Sequence, residues 1–120
     1  MITDDKPMII KSEERGTYFF VQIKGGFIAR HILTARKTIE QAIEIGHTRI
    51  VLDLSEVEFL DSMGIGLMVN LNKRLKENSG RFIVINPSDV AWDIIEVSGT
   101  ENYVQIIRNV VISDIEALLN

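Results

Sequence analysis

The period of apolar and polar positions changes several times along the chain. Met8-Ile9-Ile10-Lys11 predicts a short first strand, and Glu13-Glu14-Arg15-Gly16 a hairpin turn. Tyr18-Phe19-Phe20-Val21-Gln22-Ile23 is aromatic and β-branched, which predicts a second strand, ended by Gly25-Gly26. From Ile32 to Ile45 the period becomes helical. Ile32, Ala35, Ile39, Ala42 and Ile43 share one face, Arg36, Lys37, Glu40 and Glu44 lie away from it, and Gly46 is a stop. Arg49 to Leu54 is a short apolar run that predicts a central parallel strand. A loop is predicted from Ser55 to Asp61, then a helix to Glu77 closed by Asn78-Ser79-Gly80. Arg81 to Ile85 predicts another buried strand. Ser88 caps a helix from Asp89 to Val97, with Pro87 just before it. Tyr103 to Ile107 reads as a last, edge strand, and Ser113-Asp114 lead a helical tail through Ile115, Ala117, Leu118 and Leu119.

A hairpin followed by alternating helices and strands predicts an α/β fold: a mixed, mostly parallel β-sheet with an N-terminal antiparallel hairpin and about four α-helices. The 120 residues suit a single domain, with residues 1–7 as a loose polar tail. Partner or ligand sites in such sheets sit beyond the carboxyl ends of the strands.

Composition narrows the chemistry. The chain has no cysteine, which excludes disulfides, a thiol nucleophile and thiolate metal sites. Its formal charge is −4 and no basic run is present, so nucleic acid is not an expected partner. The acidic N-terminus does not read as a secretory signal, and no apolar stretch approaches a membrane span. The expected location is the cytoplasm.

The stretch "FLDSMGIGL", Phe59 to Leu67, places two glycines in the first turns of a helix, where glycine costs up to ~1 kcal/mol against alanine. With Ser62 as N-cap, the residues flanking the first turn would be Asp61 and Gly66, which form no hydrophobic staple. With Asp61 as N-cap they are Leu60 and Ile65, which do. Asp61 is also a good cap by charge and hydrogen bonding. Ser62 then takes the first helical position with its hydroxyl free. A wheel at 100° per residue puts Gly64, Leu67, Met68, Leu71 and Leu75 on the core face. Ser62, Gly66, Val69, Lys73 and Lys76 face outward, with Ile65 at the margin. Gly64 reads as clearance for the sheet. Gly66 reads as clearance for another chain over Ser62.

Other candidates are thinner. Asp53 and Asp61 form a possible carboxylate pair, but acids at strand ends commonly cap and turn the chain. No histidine follows them at metal-ligand spacing, so neither a metal nor a cofactor is expected. Ser62 lacks the G-x-S-x-G frame of a hydrolase, and Gly25-Gly26 lacks the lysine of a phosphate loop. Nothing assembles a nucleophile, base and oxyanion site, so an enzyme is not expected.

The stretch "IVLDLSEVEFLDSMGIGLMVNL", Ile50 to Leu71, resembles the signature of the STAS domain family, and more narrowly its single-domain anti-sigma factor antagonists of bacteria. The shared element is an apolar strand ending in an Asp-containing turn, a loop, then Asp-Ser-x-Gly-hydrophobic-Gly at a helix start. The likeness continues more loosely from Arg81 to Ile107 and into the closing helix. It implies that Ser62 is phosphorylated by a partner that is both anti-sigma factor and ATP-dependent serine kinase. The unphosphorylated form would bind this partner and release the sigma factor for transcription, and a separate phosphatase would reset the switch. With the outward face read from the wheel, the expected partner-binding residues are Asp61, Ser62, Met63, Ile65, Gly66, Val69 and Asp53, in a monomer or weak dimer. Two positions depart from the family pattern: Gly26-Phe27-Ile28-Ala29 has no acid, and Met63 stands where a small residue is usual. The alternatives are a STAS subunit of another assembly, such as a stress-signalling complex or a lipid-transport accessory, a small nucleotide-binding module, and a small enzyme using Ser62 and Asp61.

Overall fold

The structure, a computed structural model, describes residues 7–119. The expected loose tail therefore lies outside the described residues, except for Pro7. Five strands form one sheet in the order β1-β2-β3-β4-β5: β1 (Met8–Arg15), β2 (Tyr18–Phe27), β3 (Arg49–Leu60), β4 (Arg81–Ile85) and β5 (Gln105–Ile107). β1 pairs with β2 antiparallel, and every later pairing is parallel. The helices are α1 (Ile32–Glu44), α2 (Ser62–Glu77), α3 (Asp89–Ser98) and α4 (Ile115–Leu119).

Alternation along the strands divides the core in two. Val21, Ile23, Ile50, Leu52 and Leu54 pack with Ile39 of α1, Leu67, Met68 and Leu71 of α2, and Ile95 of α3. The opposite face buries Tyr18, Phe20, Val51, Ile83 and Ile85 under Ile115 and Leu119, on either end of α4. Three helices thus cover one face, and the short closing helix covers the other.

The largest departure from the sequence reading is the segment expected to be a loop from Ser55 to Asp61. β3 continues through it to Leu60, paired with an equally extended β2. Gln22 opposes Asp53 but Lys24 opposes Glu56, so β3 holds one extra residue there. Gly25 opposes Val57 and Gly26 opposes Phe59, which adds a second. Such bulges bend and twist a strand while keeping it paired. Gly25-Gly26 accordingly lies inside β2 rather than ending it. Gly25 has φ +88°, a conformation that glycine adopts without strain. Pro7 O accepts from Gly26 N at 3.0 Å.

Smaller shifts occur elsewhere. β1 runs through Glu13-Glu14-Arg15, so the hairpin turn falls on Gly16-Thr17. α1 ends at Glu44 and α3 extends to Ser98. The last strand keeps only Gln105–Ile107, because Thr100–Asn102 forms a 3-10 turn after Gly99. Another 3-10 turn, Ile112–Asp114, precedes α4. No helix of the described residues is long and apolar enough to cross a membrane.

Candidate functional site

The start of α2 is built by one carboxylate. Asp61 is the N-cap, with extended backbone at φ −119°, and its Oδ1 accepts from Met63 N at 2.9 Å and Gly64 N at 3.2 Å. These are two of the donors that a helix start leaves unpaired. Its Oδ2 accepts from Ala29 N at 2.8 Å. Both oxygens are therefore used, and Asp61 ties the start of α2 to the connection that leaves β2. No local sequence signal announces this third bond, because its partners lie 32 residues apart.

Ser62 begins the helix and is exposed. Asp61 does the capping, so the Ser62 hydroxyl is not needed for it. Leu60 is buried and Ile65 packs against the same core, as a staple requires. The two glycines have opposite surroundings. A Cβ on Gly64 would lie 2.6 Å from Phe27 O and 2.7 Å from Leu60 Cδ1, so α2 rests directly on the end of β2. A Cβ on Gly66 would meet nothing within 4 Å. Gly64, Leu67, Met68, Leu71 and Leu75 are buried, and Ser62, Gly66, Lys73 and Lys76 are exposed. Val69 differs from the reading as an outward residue: it is half-buried and packs against the core. Met63 is 45% exposed beside Ser62.

Asp53 belongs elsewhere. It shares strand parity with Val51, so it points to the α4 side of the sheet, and it is only 4% exposed. Its Oδ1 accepts from Ser55 N at 2.8 Å and its Oδ2 from Gln22 Nε2 at 3.3 Å. The carboxylate thus satisfies an N–H at the first bulge and joins β3 to β2. Asp53 and Asp61 are not brought together as a carboxylate pair. Each holds backbone in place at a different point along β3 and its exit.

Replacing Asp61 by Ala removes the acceptor from three N–H groups. We expect a loss of about 1–2 kcal/mol in urea-denaturation stability, the upper range for a lost cap. Asp61→Ser should restore most of it, because a serine still caps α2 although it cannot also reach Ala29.

The STAS domain family model matches residues 10–111, and the chain belongs to this family. It is 31% identical over 86 residues to the anti-sigma-B factor antagonist of Listeria monocytogenes, covering 67% of this chain and 75% of that one. A Thermotoga maritima protein named for anti-sigma factor antagonism is 27% identical over 67 residues, covering 56% of this chain and 59% of that one. The matched segment thus spans less than two thirds of this relative. Among solved structures, the anti-sigma factor antagonist SpoIIAA in its unphosphorylated form superposes with a TM-score of 0.78 at 22% identity, covering 92% of this chain and 96% of that one. SpoIIAA of Bacillus in its phosphorylated form gives 0.73 at 22% identity, covering 92% and 99%. These likenesses establish the mixed, five-stranded fold.

Proposed function

We propose that this protein is an anti-sigma factor antagonist switched by phosphorylation of Ser62. In the unphosphorylated form it binds an anti-sigma factor that is also a serine kinase, and the sigma factor is released for transcription. The kinase then transfers the γ-phosphoryl group of ATP to the Ser62 hydroxyl, leaving ADP, and the phosphoprotein dissociates. A phosphatase hydrolyses the phosphoester and resets the cycle. The reaction belongs to the kinase and phosphatase, this chain acting as substrate and binding partner in the cytoplasm.

The carrying observation is the separation of duties at the start of α2. Asp61 takes the capping bonds, while Ser62 stands exposed beside open space at Gly66. A partner backbone can therefore approach the hydroxyl without moving this chain. Ser62, Met63 and Gly66 form the centre of the contact, with Ile65 and Val69 at its edge. Asp61 and Asp53 support it by holding backbone. The likeness to the anti-sigma-B factor antagonist of Listeria monocytogenes and to SpoIIAA supports the same reading.

The reading is tested by incubation with candidate anti-sigma factor kinases and ATP, followed by mass spectrometry of the Ser62 peptide. Phosphate on Ser62, absent in Ser62→Ala, is the expected result. Gly66→Ala supplies a second test. It should raise stability by up to ~1 kcal/mol, since alanine is the better helix former and the added methyl meets nothing. The same methyl should weaken kinase binding, measured by calorimetry, because it occupies the partner's clearance.

A further inference from the structure

At the carboxyl end of the sheet, near Ser62, a groove of about 580 Å³ opens between the exit of β2, the end of β3 and α3. Ile28, Phe59 and Leu60 line it together with Val90 and Ile94 of α3, and Asp61 borders it as well. α3 buries Ala91 and Ile95 against the sheet, yet it carries a second apolar row in the open. Val90, Ile94 and Val97 recur at helical spacing and are 48%, 38% and 89% exposed. Val97 lies beyond the groove, so the apolar surface continues past it along the helix.

The charge around this row has one dominant sign. α3 carries Asp89, Asp93 and Glu96 and has no Lys or Arg. Glu58, exposed near the end of β3, adds another acid. Arg30 borders the groove. Arg108 stacks on Trp92, about 200° round the helix from Val90. An apolar row flanked by acids fits a segment with apolar residues flanked by Lys and Arg. A second copy of this chain would bring the same acids against themselves, and a small apolar ligand in the groove would leave Val97 uncovered.

We propose that the groove and the Val90/Ile94/Val97 row dock a basic amphipathic helix of the same anti-sigma factor kinase that modifies Ser62. Its apolar residues fill the groove, and its Lys or Arg side chains lie against Asp93 and Glu96. The inference rests on the proposed function, and Asp61 joins the two surfaces, since it caps the Ser62 helix and borders the groove. The docking helix adds affinity at a site that phosphorylation leaves untouched.

The probe is the kinase identified by its phosphorylation of Ser62, titrated calorimetrically against unphosphorylated variants. Ile94→Ser with Val97→Ser should weaken binding about tenfold or more, as removal of interface anchors does. Asp93→Lys with Glu96→Lys should weaken it too and flatten its dependence on salt. All four positions are exposed, so the melting temperature should stay within a few degrees of wild type. If Ile94→Ser/Val97→Ser binds like wild type while Ser62→Asp does not, the groove is not used and the switch stands. If only the charge reversal matters, the groove proposal is likewise overturned. A concentration-dependent dimer in sedimentation, lost in Ile94→Ser/Val97→Ser, would assign the surface to a second copy and overturn it. If wild type binds no kinase at all, this proposal and the proposed function fall together.

Discussion

Ser62→Asp should abolish binding of the anti-sigma factor kinase while leaving the fold intact. The position explains both halves. Ser62 is exposed at the first residue of α2, and its hydroxyl is not needed for the cap that Asp61 provides. A negative charge there meets the positive end of the helix dipole, which favours it by about 0.3–1 kcal/mol on an exposed surface. The adjacent carboxylate of Asp61 opposes that gain. The two effects nearly offset, so the melting temperature should move by only a few degrees. Binding has no such compensation. A partner lying over Gly66 must desolvate the new carboxylate without a prepared counter-charge, and it also loses the hydroxyl it would phosphorylate. A phosphate, carrying about −1.5 to −2 charge at pH 7, acts in the same direction and more strongly. Equal affinity of Ser62→Asp and wild type in a calorimetric titration would remove the switch from this account.

Gly64→Ala should be the most damaging single-methyl change in the site. On an exposed helix face this substitution gains up to ~1 kcal/mol. At Gly64 the new Cβ falls 2.6 Å from Phe27 O and 2.7 Å from Leu60 Cδ1. Leu60 can rotate, but Phe27 O belongs to the last residue of β2 and is fixed by the sheet. The helix start must move outward, straining the bonds that Asp61 makes to Met63, Gly64 and Ala29. Overpacking of this kind costs about 1–3 kcal/mol, which outweighs the helix-propensity gain at the upper end. A fall of several degrees in melting temperature is expected, opposite in sign to Gly66→Ala only two positions away. If both substitutions stabilise the protein, the close approach of α2 to β2 is not as described.

These opposed glycines also show what the sequence made legible. The pairing of Leu60 with Ile65 places the cap at Asp61, and helical periodicity separates Gly64 from Gly66, because both rest on local geometry that the chain repeats every turn. The sequence pattern predicts a loop at Ser55 to Asp61, where β3 in fact continues to Leu60. Strand recognition depends on a period of two, and two extra residues opposite Gln22–Lys24 and Gly25–Gly26 break that period. Val57 and Leu60 pack in the same core cluster on one face of the sheet although they are three apart, which the period of two in an unbroken strand does not give. The family resemblance groups Asp53 with Ser62, but its side chain serves a bulge on the α4 side of the sheet. The Asp61–Ala29 bond and the groove beside α3 were not visible in the sequence. Each depends on segments that only the folded sheet brings together.

The central claim is that one exposed hydroxyl, Ser62, sets whether the partner stays bound. Its most direct test takes the kinase that modifies this protein and measures its affinity for two forms prepared from one sample. One form is unmodified, and the other is phosphorylated and mapped by mass spectrometry. The account predicts phosphate on Ser62, binding by the unmodified form and loss of binding by the phosphorylated one, with binding recovered after phosphatase treatment. Phosphate at another residue, or equal affinity of the two forms, would contradict it.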